Sequence, residues 1–315
     1  MLTASIETQK VTKVYGKRAI VQDVTFRVNP GEVYALVGPN GAGKTSIIRL
    51  VTGLAFPTSG TVRLLGYDPH ERPPIKHKLG AVVEAPAAFY PYMTGRGNLQ
   101  LHAKLAGGVT KERIAEVLEM MGLTEAADRK VRIYSLGMRQ RLGVASALLT
   151  KPEVLILDEP ASGMDPLSLH LVHSVLQQSA REGTAVLLST HHLDEVVAYC
   201  SRVAILEEGR IIDEVNLLDR RDRYRVKVSD ALKSQQILKA QPYIRHASAR
   251  SSDEVIFMLG QPEGLGQVAG VLSQAGIRIF ELGKDSFNLR SYYRERVEES
   301  RQERQDELEV EEVEA

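Results

Sequence analysis

Gly38-Pro-Asn-Gly-Ala-Gly-Lys44-Thr45 has the spacing of a loop that wraps a phosphate chain. Its glycines let the backbone approach closely with N–H groups turned inward. A helix expected from Lys44 to about Gly53 adds the positive end of its dipole. Lys44 can then reach the β- and γ-phosphates of a nucleoside triphosphate, and the Thr45 hydroxyl can hold Mg2+. The bland alternative, a Gly-rich turn, is outweighed by an acidic element downstream. Val154-Leu-Ile-Leu157 reads as a buried strand ending in Asp158-Glu159, which puts two carboxylates where open α/β sheets bind ligands. Asp158 suits the magnesium. Glu159 suits a general base for the attacking water, a role that contributes about 10²–10⁴ in rate.

The elements that must position these groups follow from patterning. Residues 1–217 alternate short β-branched runs with helical periods, as a layered α/β domain with a largely parallel sheet does. Glu32–Val37, Val154–Leu157 and Ala185–Leu188 show little alternation, as strands covered on both faces require. Ile6–Val14 and Val21–Val28 suggest a small antiparallel section broken at Tyr15–Gly16, and residues 94–150 turn helical, with Ile114, Val117, Leu118 and Met121 on one face. Beyond about Asn216, strands expected at Arg220–Ser229, Ala247–Ala249, Glu254–Leu259 and Ile277–Leu282 alternate with helices at Ala231–Ala240 and Leu265–Ala275. That β-α-β-β-α-β order over 218–290 predicts a small α+β, ferredoxin-like accessory domain. Residues 291–315 form a charged tail: from Arg294 onward ten acidic residues face four arginines, which reads as a frayed helix or a disordered segment. Phe287, Leu289, Tyr292 and Tyr293 either anchor that tail or pack internally.

Composition removes several function classes. Lys plus Arg and Asp plus Glu are both 40, so the basic excess of a nucleic-acid binder is missing. The single Cys200 excludes an internal disulfide and reads as a small buried hydrophobe, in keeping with a reducing cytosol. No apolar run approaches the roughly 18–20 residues of a membrane helix, and Met1–Lys17 lacks the apolar stretch of a signal peptide. Work at a membrane therefore needs a partner.

Between the loop and the acidic strand lies Tyr134-Ser-Leu-Gly-Met-Arg-Gln140, which resembles the signature motif of the ATP-binding cassette (ABC) family, usually Leu-Ser-Gly-Gly-Gln. Ala161-Ser-Gly-Met-Asp165 resembles the family's D-loop and Ser189-Thr-His191-His-Leu-Asp-Glu195 its switch-histidine segment. Tyr15 sits where the family stacks an aromatic on adenine, and Glu84 falls in the loop that normally carries a glutamine. Val83–Pro91 and Tyr134–Leu142 are similar to cassettes of bacterial exporters for drugs, bacitracin and lantibiotics. The resemblance covers about residues 5–215 and implies an ABC-type P-loop domain, a mixed sheet with a helical subdomain, that hydrolyses ATP with Mg2+. It implies nucleotide contacts from Tyr15, Gly38, Pro39, Asn40, Gly41, Ala42, Gly43, Lys44, Thr45 and Ser46, and from Ser135 and Gly137 of the opposite subunit. It implies metal ligands at Thr45, Asp158 and Glu84, the last directly or through water, and catalysis by Glu159 and His191. His191 is preferred over His192 because it precedes Glu195 by four residues.

The resemblance further implies a homodimer closing on ATP, a separate transmembrane permease, and a place on the cytoplasmic face of the membrane. The segment from about Glu84 to Asn98, rich in Pro, Gly and aromatics, reads either as a docking surface for a helix of that permease or as an ordinary exposed loop. The accessory domain strengthens dimerisation, regulates the cycle or is simply inherited. Two departures stand out: Leu136 replaces the first signature glycine and Met138 the glutamine, while Ser135 and Gly137 keep the hydroxyl and the close backbone approach. A soluble ribosome- or DNA-acting relative is the first rival. It is disfavoured by one cassette, zero net charge and the lack of coiled-coil heptads between Lys44 and Ser135. A binding module without turnover is the second, disfavoured by Glu159 and His191.

Overall fold

Burial of Val24, Phe26 and Val28 with exposed residues between them makes β2 (Arg18–Val28) a one-sided strand, and it pairs antiparallel with β1 (Ile6–Tyr15). The strand β3 (Val33–Val37) is buried at every position and runs into the loop ahead of α1 (Lys44–Val51). β4 (Ser59–Leu64) returns to β1, giving a three-stranded antiparallel sheet in the order β2-β1-β4. β5 (Leu79–Val82) precedes a helical section of α2 (Gly95–Ala106), α3 (Lys111–Met120) and α4 (Leu136–Ala147). Then β6 (Val154–Asp158), α5 (Pro166–Arg181), β7 (Ala185–Thr190), α6 (Leu193–Tyr199), β8 (Arg202–Glu207) and β9 (Arg210–Asn216) follow. The second sheet runs β5-β6-β7-β3-β8-β9, and its five strands from β5 to β8 are parallel.

The computed structural model describes residues 4–71, 78–84, 88–221, 223–260, 264–285 and 287–314, apart from the side chains at 220, 221, 304 and 307–314. The proposed docking segment Glu84–Asn98 therefore lies partly outside the described residues, at 85–87. The chain divides into two units, Met1–Val215 with Arg290–Ala315, and Asn216–Leu289.

Helix starts follow local chemistry. Thr94, Thr110, Ser135 and Asp165 cap α2, α3, α4 and α5 through side-chain oxygens that accept first-turn N–H groups, and Pro166 opens α5. The start of α1 differs: Gly43, at φ +104°, offers no side-chain acceptor. What holds α1 is its apolar face. Ile47, Ile48, Leu50 and Val51 share one core with Phe26, Tyr34, Leu36, Ile156 and Leu187, each worth roughly 1.5–3 kcal/mol when fully buried. The loop is thus set by packing before any ligand arrives.

The second unit consists of α7 (Leu218–Arg221), β10 (Arg223–Val228), α8 (Ala231–Lys239), β11 (Ile244–Ala249), β12 (Glu254–Leu259), α9 (Leu265–Gln274) and β13 (Ile279–Lys284). Its sheet is antiparallel throughout, in the order β11-β12-β10-β13, over a core that includes Val226, Phe257, Leu238, Val268 and Leu272. The strand expected from Arg220 begins only at Arg223, because Asn216 accepts the Leu218 N–H (3.0 Å) and Leu218–Arg221 forms a helical turn. The last strand starts at Ile279 rather than Ile277, after Gly276 turns the chain at φ +74°. The charged tail is one helix, α10 (Leu289–Glu314). From Arg290 it belongs to the first unit, with Val297 buried and the Tyr292 hydroxyl donating to Asp213 (2.6 Å).

Candidate functional site

The ends of β3, β6 and β7 lie side by side, with Asp158 of β6 opposite Ser189 of β7 in parallel register. Each strand delivers one part of a polar cluster. After β3, Lys44 is buried and its Nζ donates to the carbonyls of Gly38 (2.8 Å) and Pro39 (3.1 Å). The same Nζ lies 3.4 Å from Glu159 Oε1. Glu159 Oε2 is 2.9 Å from His191 Nδ1, so lysine, glutamate and histidine form a continuous chain along the mouth of the site. His191 is 41% exposed and Glu159 21%, which leaves both reachable from outside. His192 stacks at a tilt on His191, its ring centroid 4.1 Å away.

A second chain lies beneath. Thr45 Oγ1 donates to Asp158 Oδ2 (2.8 Å), and Ser189 Oγ donates to Asp158 Oδ1 (2.5 Å). Ser189 Oγ in turn accepts the backbone N–H of Glu159 (2.9 Å). Glu159 has φ +49°, a left-handed conformation that costs an L-residue roughly 1–2 kcal/mol, and the Ser189 hydroxyl is what fastens it. Ser189 is fully buried. The sequence places it only within the histidine segment, with no role assigned, because its position opposite the acidic strand end is set by the pairing of β6 with β7.

The loop accommodates a triphosphate on the chemistry of its donors. The first turn of α1 meets no capping side chain, so its N–H groups remain for an anion. A Cβ on Gly38 would come within 2.4 Å of the Leu206 carbonyl, and one on Gly43 within 2.8 Å of the Ile20 carbonyl. Those two glycines let the loop sit this close to β2 and β8. A magnesium ion would find the Thr45 hydroxyl and the Asp158 carboxylate already paired. Among the described residues no cluster of three or more His, Cys, Asp or Glu could hold a metal by itself, so such an ion would need further oxygen ligands from water or phosphate.

Other sequence-derived candidates sit apart from this cluster. Glu84, at φ +63°, is 58% exposed and ion-pairs with Arg49 of α1. Tyr15 is half exposed at the end of β1, with Lys13 Nζ 4.7 Å over its ring. Ser135 is exposed and caps α4 by accepting the Met138 N–H (3.2 Å), whereas Gly137 is buried. α4 packs with α2, α3, α5 and β5. Leu136 lies on Gly163, where a Cβ would approach its Cδ2 to 2.4 Å, and Gln140 Nε2 donates to the Ser162 carbonyl (3.3 Å). The residue that departs from the usual signature glycine therefore packs against the neighbouring 161–165 segment.

Comparison with known proteins agrees with this geometry. Residues 21–162 match the family model described as ABC transporter. The bacitracin transport ATP-binding protein BcrA of Enterococcus faecalis is 35% identical over 294 residues, spanning 91% of this chain and 94% of the relative. The linearmycin resistance ATP-binding protein LnrL of Bacillus subtilis (strain 168) is 38% identical over 211 residues, covering 66% of this chain and 68% of the relative. A solved ATP-binding subunit of an ABC transporter superposes with a TM-score of 0.62 at 30% identity, over 70% of this chain and 92% of that one. The dimeric structure of MJ0796, a bacterial ABC transporter cassette, gives 0.61 at 25% identity over 67% and 98%. This chain belongs to the ABC transporter family, among its ATP-binding, ATP-hydrolysing subunits.

Proposed function

We propose that this subunit powers export of a drug or peptide antibiotic through a separate membrane permease, as an ATP-closed homodimer with Mg2+ at the cytoplasmic face of the membrane. The observation that carries the reading is the chain Lys44–Glu159–His191 lying over Thr45–Asp158–Ser189. Backbone N–H groups of the loop and Lys44 bind the phosphates. Glu159, held between Lys44 and His191, orients a water and takes its proton, and His191 adds a contact at the γ-phosphate. Thr45 and Asp158 would hold the metal ion, which neutralises charge developing on the phosphate oxygens; Glu84 would join them only by leaving Arg49.

The dimer rests on the exposed Ser135 at the start of α4. A donor from a second copy supplies the water exclusion and electrostatic stabilisation that the one-sided site lacks. Among the described residues no helix is long and apolar enough to cross a membrane, which favours a separate permease. The names of relatives that handle bacitracin and linearmycin favour export of such compounds, and the absence of a basic excess argues against nucleic acid as a partner. The second unit, with its β-α-β-β-α-β order, reads as a ferredoxin-like accessory domain.

ATPase assays and gel filtration on Glu159→Gln test the reading together. Turnover should fall about 10²–10⁴-fold while ATP drives the variant into a dimer. An inactive wild type, or a Glu159→Gln variant that turns over normally or stays monomeric with ATP, would refute it.

A further inference from the structure

We propose that the C-terminal helix completes the nucleotide site: Arg301 of α10 contacts the base-and-ribose end of bound ATP. Sheet order sets which end that is. Glu159 and His191, assigned above to the γ-phosphate end, directly follow β6 and β7 to one side of β3, whereas β8 lies on its other side. A nucleotide whose phosphates follow the loop after β3 must therefore extend its base toward β8. On that side lies a cleft of about 420 Å³ walled by Arg18 of β2, the loop backbone at 39–42, Glu207 at the end of β8, and Arg301. Arg18 pairs with Tyr15 across the β1–β2 turn, so the cleft opens beside the aromatic residue proposed to stack on adenine.

Arg301 is not a stray surface residue. Its guanidinium binds the buried Glu207 carboxylate through Nε at 2.8 Å and a second nitrogen at 2.8 Å, while 67% of the side chain stays exposed. Glu207 leads into the Glu208–Gly209 turn, whose Gly209 N–H donates to the Ala42 carbonyl of the phosphate loop (3.0 Å). The first turns of the helix are held by Tyr292 and Arg296 on Asp213 and by Arg290 on Asp194. A planar cation presented this way over a base face, or toward ribose hydroxyls, binds without reordering.

The inference rests on nucleotide binding at this site, and the test separates the two. Equilibrium binding of ATP and of ADP is measured by calorimetry on the full chain for wild type, Arg301→Ala, Arg301→Lys and Arg294→Ala. Arg294 is exposed on the same helix, so its replacement removes equal charge away from the cleft. Arg301→Ala should weaken ATP and ADP by the same factor, about three- to tenfold, with partial recovery in Arg301→Lys and no change in Arg294→Ala. Unchanged affinity in Arg301→Ala, an equal loss in Arg294→Ala, or a loss confined to ATP overturns the proposal. A wild type that binds neither nucleotide overturns the underlying reading instead.

Discussion

Replacing Ser189 by Ala removes one oxygen that serves two partners. Its hydroxyl donates to the buried Asp158 carboxylate at 2.5 Å and accepts the Glu159 N–H at 2.9 Å. A hydrogen bond to a charged group is worth about 1.5–3 kcal/mol and an ordinary one about 0.5–1.5, so the two together come to about 2–4.5 kcal/mol. Thr45 still holds the other Asp158 oxygen, which keeps the fold intact and concentrates the loss at Glu159. Freed from its acceptor, the Glu159 peptide can relax out of φ +49° and carry its carboxylate off line. A displacement of about 1 Å can cost on the order of 10² in rate, so kcat should drop about 10- to 100-fold with a smaller change in KM for ATP. Hydrogen exchange reads the same bond directly: the Glu159 amide should exchange about tenfold faster for each 1.4 kcal/mol lost. If Ser189→Ala leaves both that amide's protection and kcat unaltered, the hub assigned to Ser189 does not exist.

Two further perturbations probe other parts of the cassette. Gly163→Ala should destabilise by about 1–2 kcal/mol, mostly from its φ of +71°, with a smaller steric part because its Cβ would meet only the movable end of Leu136, Cδ2 at 2.4 Å. Adding Leu136→Gly should restore only the steric part, and a strictly additive double variant in thermal unfolding would contradict the contact. His173, half-buried on α5 with its ring stacked on Tyr199 (centroids 3.6 Å apart), has its pKa lowered by burial to about 4. The unfolded imidazole binds a proton near pH 6.5 and the folded one does not. Stability is therefore fully present above about pH 6.5 and declines as pH falls toward 4, by about 1–2 kcal/mol once solvent screening of the half-buried ring is allowed for. Melting temperatures between pH 7 and 5 should fall less for His173→Phe than for wild type; equal slopes would show that His173 is not the group responsible.

The chemistry of this protein is legible in its sequence wherever it is written in adjacent residues. The phosphate loop and the acidic strand end depend on backbone geometry that a few neighbours dictate, so Gly38–Thr45 and Val154–Glu159 could be placed from spacing and hydropathy, whereas Ser135 came from the resemblance of its heptad to the family signature. Apolar periodicity likewise located the buried strands, because burial on both faces leaves the same mark in any surroundings.

What only the tertiary structure decided are pairings between distant segments. Thr45 and Asp158 could be assigned to one magnesium ion, but their direct hydrogen bond across 113 residues could not, and nothing local to Arg301 or Glu207 announces that they meet across 94. Ser189 is an ordinary strand residue until parallel register sets it opposite Asp158. Glu84 reads as a metal ligand by position in its loop, yet folding brings Arg49 to it. The highly charged tail showed an acidic excess that suits a solvated segment equally well; its arginines find carboxylates on α6, β8 and β9, and those contacts dock it as a helix. Strand order in the sheet, which is a global property of the chain's path, decides which charges become neighbours.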